Sequence, residues 1–256
     1  ARLRNRITST ERDLLIDYST EKTLKEVCRI NQYYSFTETG RNKLRRIYEK
    51  LMDDISSTGS EPESISEKHY RRLSYWLRET NSFAYYIYNN QEAVLSPVTC
   101  SEYSPELQLE ILRLDTEKLK TPVLDIGCGP GANLVHHLLN KNIEAYGIDR
   151  FCENSPHTNQ SDWLEFDYGK DSWGTIISHL GFANHFNHHH LRTDGNYIEY
   201  AKKYMEIIGS LKIGGRFYYV PDLPFIENYL DKRTYSIEKF DAQTTGYNIS
   251  IIERLK

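Results

Sequence analysis

The stretch VLDIGCGPG, residues 123–131, is an apolar segment that contains one acid and ends in three glycines within five positions. The apolar part predicts a buried strand. The glycines predict a tight turn, because a residue without a Cβ adopts positive φ readily and lets the backbone approach a ligand. We expect residues 132–140 to follow as a helix whose N-terminus faces that ligand. The spacing G-x-G-x-G differs from the dinucleotide fingerprint G-x-G-x-x-G and favours a nucleoside without a pyrophosphate.

Further strands follow at the intervals that a parallel sheet requires. The segment 143–149 predicts a strand ending in Asp149, where a carboxylate can accept hydrogen bonds from ribose hydroxyls. Five more strands are predicted: residues 163–167, residues 173–178, the last part of 211–220 (a stretch that begins as a helix end and a Gly-Gly turn), residues 235–240 and residues 247–252. The predicted fold class is therefore α/β, with a Rossmann-like, seven-stranded, mostly parallel sheet.

The first part of the chain predicts helices instead of strands. They are expected over residues 10–18, 20–34, 37–55 and 66–90, with a loop over 56–64. We expect residues 1–102 to form a helical cap or substrate domain and residues 103–256 to form the Rossmann-like domain. Ser104 and Pro105 predict the start of a helix just before the first strand, since serine suits the N-cap and proline the first helical turn.

The order of these motifs resembles the class I S-adenosylmethionine-dependent methyltransferase family over residues 103–256. The resemblance implies S-adenosyl-L-methionine as cofactor, with Asp149 at its ribose and Asp167, together with Phe166 or Tyr168, at its adenine. The glycine loop would lie along the methionine part, and the segment before the first strand would approach the cofactor carboxylate. The candidate contacts of the loop and of the remaining positions are Gly127, Gly129, Gly131, Asp125, Arg150, Ser178, Tyr103 and Gln108. For Tyr103 and Gln108 the alternative is a surface position on a helix that docks through its apolar side.

Five of the nine histidines lie between residues 178 and 195, directly after the fourth predicted strand. Ligands of open α/β sheets bind outside the carboxyl ends of the strands, so His179, Asn184 and His185 are the candidate catalytic residues. A histidine there could remove a proton from an attacking hydroxyl or amine. Three alternatives remain open: metal binding by His185 with His188 or His189, solvated or capping histidines, and hydrogen-bonded core histidines.

Composition narrows the expected partners. The net charge of −4 and the pI near 6.2 argue against a general nucleic-acid surface. The sequence contains no apolar run long enough for a membrane span, no signal-peptide core, and four scattered cysteines that suit a reducing compartment. We therefore expect a cytoplasmic protein with a small-molecule substrate and no membrane partner, and the sequence leaves the oligomeric state open.

Three functions are compatible with these observations. The first is methyl transfer to an oxygen or nitrogen of a small metabolite by in-line displacement, in which positioning supplies most of the rate. Family members that methylate exocyclic amines carry Asn-Pro-Pro-Tyr or Asp-Pro-Pro-Tyr after the fourth strand, and residues 178–181 differ from both motifs. The second function is cyclisation of the methionine moiety to azetidine-2-carboxylate with release of methylthioadenosine. The third is a binding module without catalysis.

Overall fold

The computed structural model describes residues 8–31, 33–34, 36–57, 61–81, 103–192, 195–242 and 247–256. The chain divides into two compact units, Ala1–Cys100 and Ser101–Lys256. Residues 82–90 of the helix predicted over residues 66–90, and the predicted domain boundary at residue 102, lie outside the described residues. Within the described ranges, no helix combines the length and the apolar character that crossing a bilayer requires.

The first unit contains three described helices: α1 (Ser9–Ile30), α2 (Glu38–Ser56) and α3 (Pro62–Thr80). The break predicted near residue 19 is wrong, because the Thr20 hydroxyl donates to the Ile16 carbonyl 2.8 Å away and α1 continues through it. Helix α3 begins within the predicted loop, since Pro62 occupies its first turn. The Trp76 indole donates to the Gly40 carbonyl at 2.9 Å, which joins α3 to α2.

The second unit alternates strands and helices. Its elements are α4 (Pro105–Ile111), a 3₁₀ turn (Thr116–Lys118), β1 (Val123–Ile126), α5 (Asn133–Asn140), β2 (Ala145–Asp149), β3 (Thr158–Gln160), β4 (Trp173–His179), α6 (Phe182–His190), α7 (Tyr197–Gly209), β5 (Leu211–Val220), α8 (Pro224–Glu227), β6 (Tyr235–Ala242) and β7 (Tyr247–Arg254).

The seven strands form one sheet in the order β3-β2-β1-β4-β5-β7-β6. Neighbouring strands are parallel except β7, which runs antiparallel to both β5 and β6. Apolar residues cover both faces: Leu124 and Ile126 belong to the core that includes α6 and α7, and Val123 belongs to the core that includes α5. The predicted α/β fold with a mostly parallel sheet is confirmed.

Several predicted boundaries are wrong. Residues 163–165 form a turn that continues into the irregular residues 166–167, and the strand beside β2 is Thr158–Gln160, where Gly147 pairs with Thr158. The apolar residues of the turn are there for packing, since the Tyr168 hydroxyl donates to the Trp163 carbonyl and closes the turn against the core. The segment expected as a loop after Ser178 contains helix α6. Residues 211–212 belong to β5, because α7 already ends at Gly209.

Candidate functional site

The glycine loop connects β1 to α5 as the sequence predicts. Gly127 and Gly129 have φ values of +84° and +75°, which side chains with a Cβ rarely adopt. A Cβ on Gly127 would also lie 3.4 Å from the Trp163 ring. Gly131 lies in the exposed turn that follows, and Ala132, in the left-handed conformation at φ +45°, precedes the first residue of α5. The loop therefore depends on glycine at two positions.

Two acids lie at the base of this loop. The Asp149 carboxylate, at the end of β2, accepts the Gly129 amide at 3.2 Å and the Phe151 amide at 2.8 Å. Asp125 is buried within β1, and its burial, followed by the negative charge of Asp149, raises its pKa to about 7. At neutral pH a large fraction of the Asp125 carboxyl groups is therefore protonated.

A small pocket of about 40 Å³, partly open to solvent, lies where β1 and β4 end. Strand order reverses between these two strands, because β1 connects to β2 on one side and β4 to β5 on the other. Such a switch point is where open α/β sheets bind their ligands. The lining residues are Tyr103, Gln108, Gly127, Cys128, Gly129, Asn133 and His179.

The segment before β1 supplies one wall of the pocket. Ser104 caps α4 by accepting the Leu107 amide, and the Gln108 side-chain amide donates to the Tyr103 carbonyl at 3.0 Å. The Tyr103 ring packs edge-on against His179, with 4.7 Å between ring centroids. The structure therefore brings both candidates from this segment to the pocket.

His179 is the last residue of β4 and exposes 8% of its surface. Neither of its ring nitrogens has a hydrogen-bond partner among the residues that the structure describes. Burial lowers its pKa to about 4, so the ring is neutral at physiological pH. A buried polar side chain without partners costs stability, which is typical of a group that meets a ligand.

The other candidates after β4 have internal roles. The fully buried Ser178 hydroxyl donates to the Ile126 carbonyl and accepts the Phe182 amide, which ties α6 to β1. His185 is buried and packs edge-on against Trp163 at 4.8 Å, and its pKa is lowered well below the usual value, mainly by burial. Asn184 lies on α6 and is half-buried.

Three further candidates do not line the pocket either: Arg150, which follows β2, and Phe166 and Asp167. The Arg150 guanidinium lies 5.3 Å from the Phe151 ring centroid. The exposed Asp167 carboxylate accepts the Gly169 amide, and Phe166 packs edge-on against Tyr168 at 5.0 Å.

Because β3 ends at Gln160, the residues that follow this strand are Ser161, Asp162 and Trp163. The Asp162 carboxylate accepts the Leu164 amide at 2.9 Å. These residues take the position that the sequence reasoning gave to Phe166 and Asp167.

Two lining residues, Cys128 and Asn133, were not among the predicted site residues. Both had a signal: Cys128 lies between two of the loop glycines, and Asn133 follows the loop where the helix was expected to begin.

The histidines of α6 have partners of several kinds. His188 interacts with Arg192 at 3.2 Å, His189 accepts the Asn196 amide at 3.1 Å, and His190 stacks on Phe225. Among the described residues, no three side chains of the metal-binding types come together as a metal site.

Comparison with known proteins adds structural neighbours only. The sequence matches no protein-family model, and a search of curated proteins found no significant match. The N-methyltransferase NodS from Bradyrhizobium japonicum WM9 is 14% identical, with a TM-score of 0.41 over 59% of this chain and 96% of that chain. An rRNA methylase from Streptococcus thermophilus is also 14% identical, with a TM-score of 0.39 over 61% of this chain and 99% of that chain.

A TehB-like S-adenosylmethionine-dependent methyltransferase from Corynebacterium glutamicum ATCC 13032 is 14% identical, with a TM-score of 0.41 over 61% of this chain and 90% of that chain. All three neighbours are methyltransferases, the class of protein that the motif order resembles. Similarity at this level carries no conclusion about the activity of this chain.

Proposed function

We propose that the second unit binds S-adenosyl-L-methionine and transfers its methyl group to an oxygen or nitrogen of a small metabolite. The observation that carries this proposal is the pocket at the β1/β4 switch point, which combines a glycine loop with His179, a buried histidine without partners. The loop leaves its peptide groups accessible to a ligand, and the unpartnered imidazole supplies a polar contact that the folded protein leaves unused.

The residues around the pocket fit this cofactor. Each oxygen of the Asp149 carboxylate accepts one backbone amide in the contacts described above, and a carboxylate oxygen has two lone pairs. The ribose hydroxyls of the cofactor are expected at this carboxylate, which stands at the end of β2. For the adenine end, the position after β3 favours Asp162 and Trp163 over Phe166 and Asp167.

The chemistry of the bound cofactor is an electrophilic methyl group on a sulfonium. The protein's part is to align the acceptor and to keep water out, which supplies most of the rate in an in-line displacement. With a pKa of about 4, His179 is neutral and accepts a hydrogen bond from an acceptor hydroxyl or amine. Its primary role in this proposal is to orient the acceptor lone pair, since so weak a base is a poor proton acceptor at pH 7.

Calorimetric titration with S-adenosyl-L-methionine tests the binding part of the proposal. Asp149→Asn should weaken binding by about 1–3 kcal/mol, because a charged hydrogen-bond acceptor is lost. Asp167→Asn is the matched control: it makes the same chemical change at an exposed carboxylate outside the pocket and should leave affinity unchanged. Normal affinity in the Asp149 variant with a loss in the Asp167 variant would contradict the placement of the cofactor.

Product analysis tests the reaction. Incubation with the cofactor and a pool of small hydroxyl or amino metabolites should yield S-adenosylhomocysteine only when an acceptor is present. Methylthioadenosine formed without any acceptor would instead support cyclisation to azetidine-2-carboxylate. A folded protein that does not bind the cofactor at all would support the non-catalytic binding module.

A further inference from the structure

A second cavity lies within the helical unit, between α2 and α3. It is a groove of about 320 Å³ that opens to solvent. Helix α2 contributes residues 43, 46, 47 and 50, and α3 contributes residues 72, 75, 76 and 79. Both sets follow the spacing of three and four residues that places side chains on one helical face. The groove is therefore formed by two complete faces that oppose each other.

The lining of this groove is strongly cationic. It contains Lys43, Arg46, Lys50 and Arg72, and Glu79 is its one acid. Lys43 pairs with Glu79 at 2.6 Å. Arg72 pairs at 2.6 Å with an acid outside the lining, Asp54. These two pairs are internally neutral.

Arg46 and Lys50 have no such partner among the described residues. They lie one helical turn apart on the same face of α2. After internal pairing, the groove therefore retains two positive charges, in a chain whose net charge is −4.

An apolar surface lies beside these charges. Ile47 and the buried Trp76 contribute to the lining, and the Tyr75 ring at the rim is 70% exposed. Sites for small molecules typically combine such an apolar surface with a few polar groups in a volume of roughly 300–1,000 Å³. A ring on the ligand could pack against Tyr75 while its charged group meets the cations.

We propose that this groove binds a phosphate monoester carried by a small molecule with a planar ring. A monoester carries about −1.5 to −2 charges at pH 7, which matches the two uncompensated cations. The Arg46 guanidinium can bind two phosphate oxygens at once, and Lys50 adds a point charge. A nucleic-acid diester carries one charge per phosphate and matches this pair of cations less well.

Phenyl phosphate is a suitable probe, because it contains only the two features proposed. Calorimetric titration should be done with S-adenosylhomocysteine at saturation, so that heat from the glycine-loop pocket does not contribute. Phenyl phosphate should bind, phenyl sulfate, with the same shape and one charge, should bind about tenfold more weakly, and phenol should not bind. The groove lies in the other unit, so phenyl phosphate should bind there whether or not S-adenosylhomocysteine occupies the glycine-loop pocket, and the result can be told apart from a failure of the proposed function.

Charge reversal tests the location. The double variant Arg46→Glu/Lys50→Glu should lose about tenfold or more in affinity for phenyl phosphate. The control Lys22→Glu/Lys25→Glu changes net charge equally on exposed positions of α1 and should bind as the unmodified protein does. If charge reversal disturbs the fold by circular dichroism, Arg46→Gln/Lys50→Gln replaces it, with the same direction expected.

Four outcomes would overturn the proposal. They are no heat of binding at millimolar phenyl phosphate, equal affinity for inorganic phosphate, equal loss in the α1 control, and a preference for single-stranded RNA over phenyl phosphate. The second would show an adventitious ion only, the third a nonspecific effect of net charge, and the fourth a nucleic-acid surface.

Discussion

Replacing His179 with phenylalanine should stabilise the free protein while it impairs the pocket. His179 is buried and both ring nitrogens lack partners in the described part of the chain, so the folded state bears the cost of desolvating them. An unsatisfied buried polar group costs about 1–3 kcal/mol. A phenyl ring preserves the edge-on packing against Tyr103 and removes that cost. We expect the free energy of unfolding at pH 7 to rise by about 1 kcal/mol or more.

The difference should grow in acid. The pKa of His179 is about 4 in the folded protein and 6.5 in an unfolded chain. As the pH falls below 6.5, His179 becomes protonated in the unfolded chain but stays neutral in the folded chain. The unmodified protein therefore loses stability until the pH reaches about 4. Over this pH range the free energy of unfolding falls by about 3 kcal/mol. The phenylalanine variant has no such group and should keep that stability.

Urea unfolding between pH 4 and 7.5, followed by tryptophan fluorescence, measures both effects as differences between the two proteins. His157→Phe is a useful control, because its ring nitrogen is hydrogen-bonded to the Ala145 carbonyl at 3.1 Å. That substitution should destabilise the protein at pH 7. If His179→Phe destabilises it equally, or if the difference curve is flat with pH, the imidazole has partners and the reasoning about the pocket is wrong.

Asp125→Asn should change the pH dependence of stability in the opposite sense. Because the pKa of Asp125 is raised to about 7 in the folded protein, the unmodified protein loses stability as the pH rises from 3.8 to 7, and the variant should lack that loss in the same urea titrations. Ser178→Ala should lower the free energy of unfolding by about 1–3 kcal/mol, since the Phe182 amide loses its acceptor, and cofactor affinity should change little. Gly147→Ala should lower the melting temperature, because its Cβ would lie 2.7 Å from the Cys128 sulfur. An unchanged melting temperature would show that the glycine loop can move away from residue 147 without loss of stability.

The strands with an apolar pattern were predictable, and the strand held by polar contacts was not. β1 and β4 are buried along their length, so their sequences read as apolar runs. β3 is the polar tripeptide Thr-Asn-Gln at the sheet edge, and local hydrogen bonds hold it, such as that from the Gln160 amide to the Asn154 side chain. Hydrophobic periodicity cannot detect such a strand, and it selected the apolar segment 163–167 instead.

The same limit applies to the site. The sequence placed a group of polar residues after β4 and could not distinguish among them. Adjacent residues of a strand point to opposite faces, so Ser178 and His179 cannot both face the pocket. Once α6 forms, His185 is buried against Trp163. Selecting His179 required the strand end, the helix start and the packing partners together.

Burial shifts the pKa values of two groups near the glycine loop, and both shifts favour the neutral form of the group. Burial raises the pKa of the acid Asp125 to about 7 and lowers that of the base His179 to about 4, so both favour their neutral forms between these values. A ligand that carries both an ammonium and a carboxylate, as the methionine part of the proposed cofactor does, therefore meets neutral hydrogen-bonding groups at these two positions instead of two opposed ions. That arrangement lets the ligand supply the charge of the site, and it explains why a histidine can remain buried there without a partner of its own.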